Sequence, residues 1–315
     1  MTTAGQPVTG AVLRLRWRRP WTRQSINNFL WGLLFTFPTI IGLVWLVIYP
    51  VTASLYYSFT SYSIFGRYKW IGLSNYKALL NDQNFWISLY NTIYFVIFSV
   101  PLGIVVALIL ALLLNMKVRG MAIYRTIFYL PSIVPAVASA VVWSYVFNPQ
   151  YGILNNLLRL IGINGPGWLA SPVWAKPALI IMSTWGVGSL MIILLAGLQD
   201  VPQELYDAAL VDGATWWPRF WHVTIPFISP HLFFALVTGL IGGFQYFTQV
   251  HVLTGGSGGP ARSTLVYALY LYQNAFQFFK MGYASAMAWI LFVIVVLCTL
   301  LVFRNLSGRI YYGGM

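Results

Sequence analysis

Apolar residues run along this chain in six long stretches, separated by short segments that carry nearly all of its charge and most of its turn residues. The stretches cover approximately residues 29–49, 92–114, 121–147, 173–198, 226–253 and 283–303. Each can cross roughly 30 Å of hydrocarbon as a helix. In lipid every backbone amide needs a partner within its own segment, so the stretches are predicted to be helices; a barrel would show short strands of alternating polarity instead. The expected fold is all-α: a polytopic membrane protein with six transmembrane helices. Three stretches carry interruptions, Pro101 with Gly103, Pro131 with Pro135, and Gly186 with Gly188. Bent helices of this kind are tolerated where they pack in protein or line a cavity, so the breaks permit a translocation path.

Composition agrees. Hydrophobic residues make up 59% and charged residues 7% of the 315, too little polar material to cover a soluble core. The formal charge of +13 would point to nucleic acid in a soluble chain, but its distribution argues otherwise. Arg14, Arg16, Arg18, Arg19 and Arg23 precede the first apolar stretch, where positive charge holds a tail in the cytoplasm. With that tail inside, eleven basic residues fall on the cytoplasmic side, among them Lys117, Arg119, Arg125, Arg219, Arg304 and Arg309, against seven outside. Both termini are therefore expected in the cytoplasm. The tail, the first stretch and the following Val51-Thr52-Ala53 outline a cleavable leader, yet the stretch exceeds the roughly 7 to 15 residues of such a core and is kept as a span. Domain boundaries follow: a basic tail over 1–27, the membrane domain over 28–305 and a short tail over 306–315. The single cysteine, Cys298, cannot close an intrachain bridge and reads as packing.

Four of the five acids, Asp200, Glu204, Asp207 and Asp212, fall within thirteen positions between the fourth and fifth stretches, and Asp82 stands apart. No Lys, Arg, Asp or Glu lies deep in a span, which weighs against coupling to protons or sodium. The acidic segment is predicted to hold a short helix, capped by Asp200, with Pro202 in its first turn, Gln203 as capping-box partner and Gly213 as the left-handed stop. A second short helix is predicted after Thr215, with Pro218 in its first turn and Trp216, Trp217 and Trp221 at interfacial depth. In the loop before the second stretch, residues 73–80 are expected to form a short capped helix.

Asp207-Ala208-Ala209, then Gly213, Val223 and Ile225-Pro226, resembles the Glu-Ala-Ala loop of bacterial ABC importer permeases in residue types and in every spacing, with Asp for Glu, Val for Ile and Ile for Leu. Segments 70–76, 124–131, 143–148, 259–272 and 281–284 are similar to the carbohydrate-uptake branch of that family, which includes maltose and glycerol-3-phosphate permeases. The likeness covers roughly residues 28 to 305. It implies a MetI-like permease fold whose loop over 200–226 carries a cytoplasmic coupling helix seated in a cleft of an ATPase. Docking is assigned by resemblance to Glu204, Asp207, Ala208, Ala209, Asp212 and Gly213. The resemblance further implies a second, homologous permease subunit, two copies of a cytoplasmic ATPase carrying ATP and Mg, an external solute-binding protein, and a bacterial or archaeal plasma-membrane location. This chain has no Gly-rich phosphate loop ending in Lys-Ser or Lys-Thr, so the ATP chemistry belongs to a partner and the chain itself is expected to have no cofactor.

A sugar offers hydroxyls and apolar ring faces, so its path needs amides and aromatic rings and no formal charge. Candidates are Trp143, Tyr145 and Asn148 on the third stretch, Trp185 on the fourth, and Gln245, Tyr246, Phe247 and Gln249 on the fifth. Helix packing is the competing role for each. Gly239 and Gly243 read as a helix-packing pair. His222, His231 and His251 are too dispersed for a metal site, and no catalytic residues are predicted. The expected function is a permease subunit of an ATP-driven sugar importer, with a di- or oligosaccharide favoured and the absence of basic residues in the spans tilting away from phosphate esters. An ion-coupled secondary sugar carrier is the alternative, and an integral membrane enzyme such as a lipid-linked transferase ranks third.

Overall fold

In the computed structural model four of the apolar stretches form helical segments long and apolar enough to cross a membrane and the other two form bent helix pairs, which makes six crossings when each pair counts as one. Residues 22–66, 68–116, 118–306, 308 and 310–311 are described. Arg14, Arg16, Arg18 and Arg19 of the basic tail lie outside the described residues, as do Arg67, Lys117, Arg309 and the last four residues. The chain divides into two units, Met1–Ala53 and Ser54–Met315.

In the first unit, α1 (Arg23–Leu43) starts at Thr22, whose hydroxyl accepts the Ser25 amide at 3.2 Å. A π-helical turn at Val44–Ile48 leads on to α2 (Tyr49–Ser58). None of the side chains of α1 or of the π turn is buried within the chain.

The second unit is built around one long helix. Before it, α3 (Ser74–Leu80) forms where a short helix was expected, but without a side-chain cap; the Ser74 hydroxyl turns back to the Ile71 carbonyl instead. Asn75 fixes this element by donating to the Ser58 and Thr60 carbonyls at 2.8 and 2.9 Å. The central helix α4 (Gln83–Leu114) runs unbroken through Pro101 and Gly103, which corrects the predicted interruption there. Its buried small residues, Ser88, Ser99, Ala107 and Ala111, let neighbouring helices approach closely.

The other two interruptions are real. Helices α5 (Met121–Ile133) and α6 (Ala136–Val146) meet at 99°. Pro135 supplies the reason: it has no N–H to give, and it holds the preceding Val134 in extended conformation. The segment after α6 contains α7 (Ile153–Leu160) and leads to α8 (Ala175–Trp185). A 51° bend at Gly186 and Val187 separates α8 from α9 (Gly188–Gln199). Gly188 is required there, because a Cβ would come within 2.7 Å of the Phe128 carbonyl oxygen on α5.

Beyond the acidic loop lie α10 (Gln203–Val211), α11 (Trp216–Arg219), a π turn at Phe220–Thr224 and α12 (Ile225–Phe227). The fifth crossing is α13 (Ser229–Phe244) followed by α14 (Thr248–Leu253). Gly239 and Gly243 face α4, where a Cβ would fall 2.8 Å from a Val100 methyl and 2.9 Å from a Val96 methyl. The pair packs helices, as its spacing predicts.

A structured loop carrying α15 (Tyr267–Tyr272) joins this crossing to the last one, α16 (Met281–Leu306). The loop is fastened to α4 by side chains. Asn91 donates to the Arg262 and Leu265 carbonyls at 2.9 and 3.0 Å and accepts from Lys176 at 3.0 Å. Thr92 accepts the Tyr267 amide at 2.8 Å. Asp82 caps α4 by accepting the Asn84 amide at 2.8 Å, and its other oxygen accepts the hydroxyls of Tyr270 and Tyr283, each at 2.5 Å.

Candidate functional site

The acidic loop folds as a projecting helix with a specific stop. Asp200 does not cap α10, contrary to expectation; it closes α9, and Pro202 occupies the cap position with no side-chain bond. Buried Val201 anchors the turn between them, and the fixed φ of Pro202 sets the start of the new helix. Gln203 likewise makes no capping box, and donates to Asp207 one turn on at 3.2 Å. The C-terminus follows prediction. Gly213 sits at φ +76°, and the amides of Gly213 and Ala214 return to the carbonyls of Leu210 and Ala209 at 3.0 and 2.8 Å, a Schellman closure.

One side of α10 is tied down. The Tyr206 hydroxyl meets that of buried Thr224 at 3.0 Å, and Tyr206, Val223 and Ile225 pack on a core formed by Leu194, Leu198 and Ile228 among others. Helical spacing puts Glu204, Asp207, Ala208 and Asp212 on the other side, all exposed, with exposed Gly213 at the end. Ala209 falls on the flank, half-buried beside Tyr206. At the centre of the open face stands Val211, 88% exposed; Leu210, 53% exposed, lies nearer the Tyr206 side. Neither was singled out by sequence; their signal is an apolar pair in an acidic stretch that belongs to no core. The result is an apolar knob rimmed by carboxylates, the composition of a protein-docking surface. Past Gly213, Trp216, Trp217 and Trp221 are exposed; the first two stack with Phe220 and Trp221 meets it edge to face, and Pro218 falls within α11 as expected.

A second site lies where the bends are. Two cavities of about 280 and 360 Å³ adjoin there and share Ser183, Gly186, Tyr246 and Gln249. Trp185 lines the smaller cavity together with Ser132 and Ser139; Phe95 and Ser99 line the larger. Tyr246 stacks on Phe95 at 4.2 Å, and its buried hydroxyl has no hydrogen-bond partner among the described residues. Of the residues proposed from sequence, the structure gathers Trp185, Tyr246 and Gln249 around this space, and Trp143 backs Trp185 edge to face at 6.1 Å. The rest go elsewhere. Asn148 accepts the Gln150 and Tyr151 amides in a turn, Phe247 stacks on His251 and Tyr272, and Tyr145 and Gln245 are exposed away from the cavities. The serines were missed because a serine in a span commonly bonds its own helix, as Ser132 and Ser183 do to the carbonyls of Tyr129 and Ile180, both at 2.7 Å. Their oxygens still offer acceptor lone pairs to the cavity. The lining combines hydroxyls, one amide and aromatic rings, and contains no charged residue.

Comparison with known proteins places this architecture. The family described as "Binding-protein-dependent transport system inner membrane component" matches residues 99–311, which include the α10 loop and every named cavity residue except Phe95. The protein named "Probable ABC transporter permease protein YesP" from Bacillus subtilis (strain 168) is 45% identical over 92% of this chain and 95% of its own. The lactose transport system permease protein LacF of Rhizobium radiobacter is 38% identical over 91% of this chain and 98% of its own. Among solved structures, a chain of a bacterial alginate ABC transporter, crystallised in complex with an alginate pentasaccharide-bound periplasmic protein, superposes with a TM-score of 0.79 at 26% identity, covering 95% of this chain and 100% of that one. This chain belongs to the family of binding-protein-dependent transport system inner membrane components: it is a multi-pass permease subunit of an ABC importer, and not itself an enzyme.

Proposed function

We propose that this subunit forms half of the translocation pathway for a neutral sugar, a di- or oligosaccharide, and takes its driving force through α10. The observation that carries the reading is the projecting α10 face. Glu204, Asp207, Ala208 and Asp212 surround exposed Val211 on a helix held from behind by Tyr206, and such a face fits a cleft with an apolar floor and a basic rim. That cleft belongs to a cytoplasmic ATPase, present in two copies and carrying ATP and Mg. Ala208 and Ala209 allow close approach, and Gly213 ends the helix without a side chain in the way. A second, homologous permease subunit completes the pathway, and an external solute-binding protein delivers the ligand. The membrane domain spans 28–305, with the 1–27 and 306–315 tails on the ATPase side, in a bacterial or archaeal plasma membrane.

The uncharged, aromatic and hydroxyl-rich cavity supports a sugar ligand, with Trp185, Tyr246 and Gln249 as its contacts and Trp143 behind them. Relatives named for lactose and for arabinooligosaccharides support the same class. Nothing in the molecule favours the ion-coupled carrier.

Purification of the tagged chain from its native membrane tests the coupling assignment. Wild type is expected to bring down an ATPase and a second permease, whereas Gly213→Trp loses the ATPase or retains it without ligand-stimulated hydrolysis. A chain that purifies alone and moves sugar in liposomes without ATP overturns the proposal.

A further inference from the structure

Counted as one crossing, the bent α8–α9 pair puts the segment between α6 and α8 on the membrane face opposite α10. Its core is built on Asn155. This buried side chain donates to the carbonyls of Pro149 and Pro166 at 3.0 and 3.1 Å and accepts the Trp168 indole N–H at 2.6 Å. Arg159 locks the outer side by donating to the Gln150 carbonyl at 2.7 Å and to the Asn156 side chain at 2.8 Å. The helix α7 is thus held in one orientation, and its surface divides into three sectors.

At about 100° per residue, Leu154 and Leu158 share the side that packs with Phe147 and Trp168, and Asn155 extends that side. Asn156 and Arg159 form a polar sector. Between the polar sector and the protein side lies a third, wholly apolar one: Ile153, Leu157 and Leu160, continued by Ile161, with Leu160 82% and Ile161 70% exposed. A helix lying flat beside a membrane bundle meets three surroundings, protein on its inner side, water above and lipid below, and the three sectors of α7 match them. Exposed Val173 and Trp174 stand immediately before α8, and Trp174 meets edge to face the same Trp168 that bonds Asn155. An indole at that level suits the aromatic belt.

We propose that α7 is an interfacial helix whose Ile153, Leu157, Leu160 and Ile161 stripe is seated in the lipid headgroup boundary on the face opposite α10, with Asn156 and Arg159 toward water. The partner is the bilayer surface. A soluble protein approaching from water would meet the Arg159 sector, while the apolar stripe offers it no charge and no side-chain hydrogen bond. This inference rests on the crossings alone and not on the transported solute.

Site-directed spin labelling of the full chain in phosphatidylethanolamine and phosphatidylglycerol vesicles tests it. The lone native cysteine is removed by Cys298→Ser, and single labels are placed through Leu157→Cys, Leu160→Cys and Asn156→Cys. These side chains are all exposed; Asn156→Cys gives up the bond from Arg159 but leaves Arg159 its bond to the Gln150 carbonyl, and melting of each labelled variant near the wild-type temperature verifies the fold. The expected result is an oxygen-to-nickel-chelate accessibility ratio severalfold higher at positions 157 and 160 than at 156. Labels at 157 and 160 that collide with the aqueous nickel chelate as readily as the label at 156 overturn the proposal. So do labels shielded from both reagents, which would mean that protein covers the stripe.

Discussion

The two ends of the second unit use their acids in opposite ways. On the α10 side, Glu204 and Asp212 have no side-chain partner among the described residues, and Asp207 has only the exposed bond from Gln203. At the other end, Asp82 accepts three hydrogen bonds and joins the starts of α4 and α16 to α15. A polar group satisfied inside the molecule holds the fold, whereas one left open on a rigid helix is available to a partner. The clasp around Asp82 is thus structural, and the open α10 face is the one we propose for docking.

The sharpest way to break this comparison is Asp82→Ala against Glu204→Ala. Loss of Asp82 removes a helix cap and leaves two partly buried tyrosine hydroxyls without an acceptor, at a cost of about 2–4 kcal/mol. Thermal unfolding in detergent should fall well below wild type, and Glu204→Ala should stay within about 0.5 kcal/mol of it while losing ligand-stimulated ATPase activity. Equal melting of the two variants would remove the distinction. The same carboxylate predicts an acid limb. Burial alone would raise the Asp82 pKa, but the Tyr270 and Tyr283 hydroxyls and the Asn84 and Phe85 amides outweigh it and hold the group below the ordinary 3.8. The folded state then binds fewer protons than the unfolded one, so this contribution is complete above the unfolded value and fades as pH falls through the folded one. Stability attributable to Asp82 should therefore be flat from about pH 5 upward and decline only below about pH 4, and Asp82→Asn should lack that decline.

Smaller effects grade the same contrast. Asn91→Leu keeps the branched outline of the side chain but leaves the Arg262 and Leu265 carbonyls without its amide and strips Lys176 of its acceptor, for about 1–3 kcal/mol. Limited proteolysis should then cut the 254–266 loop sooner than in wild type. On the α10 side, Gly213→Ala meets open space but must hold φ +76°, which costs an L-residue about 1–2 kcal/mol, confined to that turn. Transport in proteoliposomes with the partner subunits should drop while the melting temperature of the whole subunit changes little.

How much of this the sequence discloses depends on the range of the interaction. Spans follow from local hydropathy, so all six are legible, and the Pro131–Pro135 and Gly186–Gly188 bends are too. Pro101 misleads, because one missing amide in a 32-residue helix is absorbed when neighbours pack along it. Gly213 is legible because a helix stop is written within a few residues. The cap of α10 is misread, since Asp200 fits the local rule but is already used in closing α9. Asp82 looks solitary because its tyrosines stand 188 and 201 positions away. The α7 stripe is hidden in a turn-rich loop, as eight residues are too few for a helical period to stand out. In the central cavity, residue type points to Trp185, Tyr246 and Gln249, but only the bends determine that they face one space and that Asn148 and Phe247 do not.

Tyr246 gives the smallest effect on stability and extends the comparison to the membrane interior. Among the described residues its hydroxyl is unpaired, like the carboxylates of Glu204 and Asp212 and unlike that of Asp82, but here the group is buried, on a ring that lines a cavity. Tyr246→Phe preserves the stack on Phe95 and removes a buried hydroxyl that has nothing to bond, so melting should stay within about 0.5 kcal/mol of wild type or rise slightly. If the hydroxyl is held open for a sugar, its loss removes one neutral hydrogen bond, about 0.5–1.5 kcal/mol, and transport at low sugar concentration falls roughly two- to tenfold. Uptake by the reconstituted transporter over a range of sugar concentrations separates the cases. A raised KM with an unchanged maximal rate marks a ligand contact. Unchanged uptake together with unchanged melting would mean that an open polar group in this molecule does not by itself mark a site, and the same inference for the α10 carboxylates would then rest on the Glu204→Ala result alone.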